Sequence, residues 1–107
     1  MSGIGRMEIA RRFSREVKSR LGKRVENIIL YGSVARGDDT EDSDIDILVI
    51  SRTGEPDLQF YISGIAYDIG HNEDELISVQ VHPREHMKRY GDISFFRTVT
   101  EEGHVLG

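Results

Sequence analysis

Two short apolar runs constrain this chain more than anything else in it: Val25–Tyr31 (Val-Glu-Asn-Ile-Ile-Leu-Tyr) and Asp44–Ile50 (Asp-Ile-Asp-Ile-Leu-Val-Ile). Both are rich in β-branched residues. Gly32 breaks the first, and a polar stretch of turn formers, Gly37–Ser43, precedes the second, so each reads as a strand. Between them, Ser33–Arg36 has room for one short helical turn. Upstream, Ile9, Phe13, Val17 and Leu21 recur at every fourth position and predict a helix over Arg6–Leu21 that Gly22 caps. Downstream, Ser51–Pro56 is a turn, and Asp57 is placed to cap a second amphipathic helix whose stripe is Leu58, Ile62, Ile65 and Ile69, with Gly64 weakening its middle.

The remaining third of the chain alternates. Leu76–Val81 reads as a third strand, closed by Pro83, which can take the first position of a short helix through Tyr90. Asp92 is placed to cap a last helix over Ile93–Glu102, and Gly103–Gly107 trails off as a short edge strand. The order α-β-β-α-β-α-α predicts an α/β fold, a small two-layer sandwich with helices packed on a three- to four-stranded mixed sheet. A length of 107 residues predicts one domain over residues 1–107.

Composition excludes several functions. The chain has no cysteine, which removes disulfides, zinc ribbons and thiol catalysis. No apolar run approaches the length of a membrane span. The opening Met1-Ser-Gly-Ile-Gly-Arg6 enters charged residues without an apolar stretch, so no secretory signal is expected and the placement is cytoplasmic. Fourteen Lys and Arg against 19 Asp and Glu give a net charge of -5, which argues against direct nucleic-acid binding. The signs are segregated. Residues 6–24 hold eight Lys and Arg against Glu8 and Glu16, and residues 38–46 hold six carboxylates and no cation. The basic face of the first helix reads as solvated surface, or else as a docking face for an acidic partner.

Two features near the strand ends break local rules. A strand that runs into Gly32-Ser33 and then a helical turn leaves backbone N–H groups unpaired. Without a side chain at Gly32 an anion can approach the main chain, and the Ser33 hydroxyl and amide can donate to it. Alone, such a turn is ordinary loop chemistry. The second feature is Asp44-Ile45-Asp46. Strand alternation puts both carboxylates on one face, with Cα atoms ~6.6 Å apart, close enough to converge on one divalent cation. Aspartate is disfavoured in strands, and paired like charges raise each other's pKa unless a cation neutralises them. Alone, the pair is equally an exposed strand end. Hard oxygen ligands beside a phosphate site favour Mg²⁺ over zinc.

Taken together, Gly32-Ser33, residues 34–43 and then Asp44-Ile45-Asp46 form a string that resembles the signature of the DNA polymerase β nucleotidyltransferase superfamily. The fuller string Gly32–Val49 resembles its minimal, single-domain members, and the likeness is sharp over residues 25–50. The resemblance implies a polymerase β nucleotidyltransferase-like fold. It implies that Gly32 and Ser33 hold a nucleoside triphosphate, ATP being the first candidate, and that Asp44 and Asp46 are catalytic and hold Mg²⁺. Arg36, just past the turn, is placed to reach a triphosphate oxygen. The resemblance further implies an antitoxin whose partner is a HEPN-domain toxin, silenced by adenylylation of a tyrosine.

One departure stands out. The superfamily carries a third carboxylate on a following strand, where this chain offers Ser78 and Gln80. Asp68 flanks the second helix and Glu75 lies at the strand's edge, and neither is assigned that role. An antitoxin that acts by contact alone is therefore the alternative. A small-molecule nucleotidyltransferase ranks lower, because so short a chain leaves little room for a second substrate lobe unless it forms a homo-oligomer. Arg36 could instead pair with the acids of the loop after it. His82 and His86 have a spacing that can share a metal on a helix, but His82 is expected to end a strand, which disfavours it. Tyr61, Tyr67, Phe95 and Phe96 read as core or interface aromatics.

Overall fold

The elements follow the apolar pattern closely in a computed structural model, which describes residues 5–107; the opening segment read for a leader lies largely outside them. Helix α1 (Arg6–Leu21) buries Ile9, Phe13, Val17 and Leu21, the predicted stripe, together with Ala10 and Ser14. Gly22, at φ 52°, ends it in the left-handed region that glycine tolerates. A 3₁₀ turn (Gly22–Arg24) leads into β1 (Val25–Tyr31), then the short helix α2 (Gly32–Arg36), β2 (Ile45–Ser51) and α3 (Leu58–Asn72). Strand β3 (Ile77–Pro83), helices α4 (Arg84–Tyr90) and α5 (Ser94–Glu102), and the two-residue strand β4 (His104–Val105) complete the order.

The sheet order is β3-β2-β1-β4. β1 is antiparallel to both β2 and β4, and β2 is parallel to β3, which makes the sheet mixed as expected. Pleat alternation divides each central strand between two faces. Ile45, Ile47 and Val49 of β2 join Ile28 and Leu30 of β1 under α1 and α3, forming the main core with Phe13, Val17 and Ile62. Each such side chain, fully removed from water, contributes about 1.5–3 kcal/mol before entropy is charged against it. On the reverse face Ile29, Leu48 and Ile50 meet Phe96 and Val99 of α5, with Met87 of α4 packed beside them. Asp46 belongs to this reverse face, because it alternates with Ile45 and Ile47.

Several boundaries differ by one or two residues. β2 starts at Ile45, so Asp44 stands just before the strand. β3 continues to Pro83, which a strand end accommodates because no ladder donor is needed there, and α4 begins at Arg84. Ile93, not Asp92, occupies the cap position of α5. The tail pairs with β1 as an edge strand: Leu106 N–H donates to the Ile28 carbonyl at 2.7 Å, and Ile28 N–H to Gly107 at 2.9 Å. Among the described residues no helix is long and apolar enough to cross a membrane.

Candidate active site

The register of the two central strands builds the site. Tyr31, the last residue of β1, lies opposite Asp46 of β2, so whatever follows Tyr31 must turn past the Asp46 side chain. Gly32 makes that turn at φ 77°. A Cβ at this position would overlap Oδ2 of Asp46 and stand 3.2 Å from its Cγ. Glycine is therefore required twice, by the left-handed backbone and by the approach of the carboxylate.

Beyond Gly32, one turn of helix carries Ser33 and ends at Gly37, whose φ of 79° lets its N–H close on the Val34 carbonyl at 3.2 Å. Asp38 N–H reaches back to the Ser33 carbonyl at 3.0 Å. No side chain caps α2 at Tyr31. The first-turn N–H groups of a helix have no acceptor inside it, so the Gly32-Ser33 end is a ready donor surface.

Asp44 and Asp46 are both half-buried. Burial, and after it the charge of Asp44, lifts the Asp46 carboxyl above its ordinary range; the Arg36 guanidinium pulls the other way. The three groups thus share one electrostatic field. Two carboxylates near enough to interact in a partly dehydrated spot, one of them packed against a glycine turn, suit a small hard cation and the phosphates it accompanies. Arg36 is half-exposed and pairs with Asp38 at 3.3 Å and with Glu102 of α5 at 3.6 Å. The local pairing expected for it is present, and its charge also acts on Asp46.

The model of a family described as the nucleotidyltransferase domain matches residues 10–105. The chain belongs to that family. A Methanocaldococcus jannaschii protein, provisionally named a protein adenylyltransferase, is 38% identical over 94 residues, covering 88% of this chain and 90% of that protein. Among solved structures, a toxin–antitoxin with AMP-PNP contains a chain that superposes with a TM-score of 0.64 at 18% identity, over 91% of this chain and 72% of that one. A chain from the complex of tri-AMPylated Shewanella oneidensis HEPN toxin with MNT antitoxin gives a TM-score of 0.61 at 16% identity, over 96% of this chain and 72% of that one. At these identities the structural likeness establishes the fold.

In this nucleotidyltransferase β3 places Ser78 opposite Asp46 and Gln80 opposite Leu48, so the face where a third acid is expected carries two neutral residues. Among the described residues no group of three His, Cys, Asp or Glu side chains is arranged to hold a metal. Asp68 is exposed on α3. Glu75 is engaged by Arg6 through a two-pronged contact.

His82 and His86 do approach, with ring centroids 4.9 Å apart, but both meet the ring of Phe96 edge-on. Burial, and then the neighbouring His86, pushes His82 below its ordinary range, so His82 itself favours the uncharged ring. Phe96 is buried, whereas Tyr61, Tyr67 and Phe95 are exposed.

Sequence reading missed Tyr31 and Arg6. Tyr31 shares the sheet face of Asp46, and burial together with that carboxylate raises its phenol above the ordinary value. Gln80 Nε2 donates to its hydroxyl at 3.5 Å. Its position immediately before Gly32 was the available signal. Arg6 had none, because its partners are remote in sequence.

Proposed function

We propose that this nucleotidyltransferase is a Mg²⁺-dependent protein adenylyltransferase that transfers AMP from ATP to a tyrosine hydroxyl of a HEPN-type toxin and so serves as its antitoxin. The observation that carries the reading is the fit of Gly32 against Asp46, with the charge of Asp44 acting on the same carboxylate, which supports a turn for phosphate beside a pair of acids for metal. The relative named as a protein adenylyltransferase supports the acceptor class, and the fold shared with antitoxin-containing complexes supports the partner. The whole of residues 1–107 forms the transferase unit in this reading, acting in the cytoplasm beside its partner.

Asp44 and Asp46 would hold the magnesium ion, which when bound neutralises phosphate charge as pyrophosphate departs. Gly32 and Ser33 donate main-chain N–H groups, and Ser33 its hydroxyl, to the terminal phosphates. Arg36 exchanges its exposed partners for a phosphate oxygen, a contact that is charge-assisted on both sides. The acceptor oxygen forms its bond to the α-phosphorus as the bond to the bridging oxygen of pyrophosphate breaks. Positioning and charge stabilisation account for most of such a reaction, which two aspartates and a donor turn can supply.

The test is to incubate the protein with ATP, Mg²⁺ and the HEPN protein encoded beside it, and to map modification by mass spectrometry. Adenosine monophosphate on a tyrosine of the partner is expected. An unmodified partner, or AMP on serine or threonine alone, contradicts the reading.

The lack of a third acid on β3 favours a second reading, a binding-only antitoxin, since loss of a general base costs ~10²–10⁴-fold in rate. That reading requires the Asp44→Asn/Asp46→Asn variant to protect cells from the toxin as well as the parent does.

A further inference from the structure

Arg6 lies at the first turn of α1, far in sequence from the candidate site, yet its guanidinium gathers the whole approach to Asp44. Nη1 donates to Asp39 Oδ2 at 2.9 Å and to the Thr40 carbonyl. Nη2 donates to the Glu41 carbonyl at 3.1 Å and to Glu75 Oε1 at 3.2 Å, while Nε takes the other Glu75 oxygen. The Arg6 and Glu75 side chains are mostly shielded, at 17% and 20% exposure, so this two-pronged pair exceeds an ordinary surface pair, while the bonds to Asp39, Thr40 and Glu41 lie at the surface.

The partners are themselves fixed. Glu75 N–H donates to the Gly70 carbonyl at the end of α3 at 2.8 Å. Thr40 N–H bonds Ser43 Oγ at 2.9 Å, and Ser43 N–H returns to the Thr40 carbonyl at 3.1 Å. On the far side of Asp44, Ile45 N–H donates to Leu76, the residue after Glu75, at 2.9 Å. Asp44 is thus a single residue suspended between two anchored neighbours, and Arg6 joins both anchors through the loop on one side and Glu75 on the other.

We infer that Arg6, through Glu75 and the Asp39–Glu41 backbone, is a positioning residue that sets the Asp44 carboxylate beside Asp46 for the metal–nucleotide. The inference rests on the proposed function, and it gives Glu75 a task other than that of a third metal ligand. Removal of a group that orients a metal ligand from behind typically weakens metal affinity by 10–100-fold. A lysine keeps the charge but cannot reach both carboxylate and carbonyls with a planar fork.

The experiment compares the parent with Arg6→Gln, Arg6→Lys and Glu75→Gln. Mn²⁺ uptake in the presence of the non-hydrolysable analogue AMP-PNP is followed by electron paramagnetic resonance, and amide hydrogen exchange is followed without metal. The expected result is a rise of about tenfold or more in the Mn²⁺ concentration for half-saturation in Arg6→Gln and Glu75→Gln. Arg6→Lys should recover only part of it. Faster exchange should be confined to residues 38–44, with the strands unaffected. Half-saturation within twofold of the parent in Glu75→Gln, which retains the side chain's shape, overturns the inference even if Arg6→Gln misfolds. Full recovery in Arg6→Lys overturns the role of the fork. If the parent itself takes up no Mn²⁺ with nucleotide, the functional reading fails and the positioning role goes with it, a result distinct from unchanged midpoints.

Discussion

Gly32 and Asp46 fit together so closely that any side chain on Gly32 would displace the carboxylate: a Cβ there would overlap Oδ2 and lie 3.3 Å from the Asp46 Cβ. The pairing of Tyr31 with Asp46 across β1 and β2 enforces this contact. The Gly32 turn proposed to take phosphate and the Asp46 carboxylate proposed to take metal are therefore one structural unit rather than two adjacent features.

Gly32→Ala should accordingly cost more in rate than in stability. A non-glycine residue at φ 77° is strained by about 1–2 kcal/mol. Misplacing a reacting group by an ångström can cost ~10²-fold. Gly37→Ala is the control: it stands at φ 79° but has open space around a Cβ, so a similar loss of stability should come with little loss of AMP transfer. Thermal melts and initial rates on both variants check this, and equal rate losses would contradict the role of the contact.

Asp46→Asn should stabilise the metal-free protein at neutral pH. The folded-state carboxyl titrates above its ordinary 3.8, mainly through burial and then Asp44. Its protonated form therefore favours the fold. That contribution is full below the unfolded value and lost as pH rises through the folded one. Because the group is partly exposed the effect is small: melting temperature at pH 7 should rise, and the difference should vanish below the unfolded value. A variant less stable than the parent at pH 7 would contradict the assigned field.

Much of this was legible in the chain because it is local. The four-residue spacing of Ile9, Phe13, Val17 and Leu21 marks α1, and the Ile-rich runs mark the central strands, because burial on one face demands those periods. Gly32, Ser33, Asp44 and Asp46 could be grouped because their spacing resembles the signature of the polymerase β nucleotidyltransferases, and the turn of Gly32 past Asp46 brings the two features together. Arg6 could not. Its bonds to Glu75 and to the loop carbonyls exist only once α1, β2 and β3 are assembled, and an arginine among eight Lys and Arg in residues 6–24 carries no mark. The neighbouring rings of His82 and His86 were likewise hidden, since Pro83 ends β3 and turns α4 back over it.

Arg36→Gln should raise KM for ATP about tenfold with a smaller change in kcat. A charge-assisted hydrogen bond contributes about 1.5–3 kcal/mol, and tenfold corresponds to about 1.4 kcal/mol. Its present partners, Asp38 and Glu102, are exposed pairs of little energetic weight, so melting temperature should scarcely move. Steady-state kinetics over an ATP series decides it; an unchanged KM would confine Arg36 to the surface network.

The most direct measurement is transfer of label from α-labelled ATP to the proposed HEPN-type partner by the parent, by Asp44→Asn and by Asp46→Asn, each with Mg²⁺ and with chelator. Label on the partner only with the parent and Mg²⁺, and a loss of at least about 10³-fold in either variant, is the predicted result, since each removes a ligand that stabilises the transferring phosphoryl group. Transfer that survives in both variants, or that proceeds equally in chelator, would contradict a metal-dependent site built on Asp44 and Asp46.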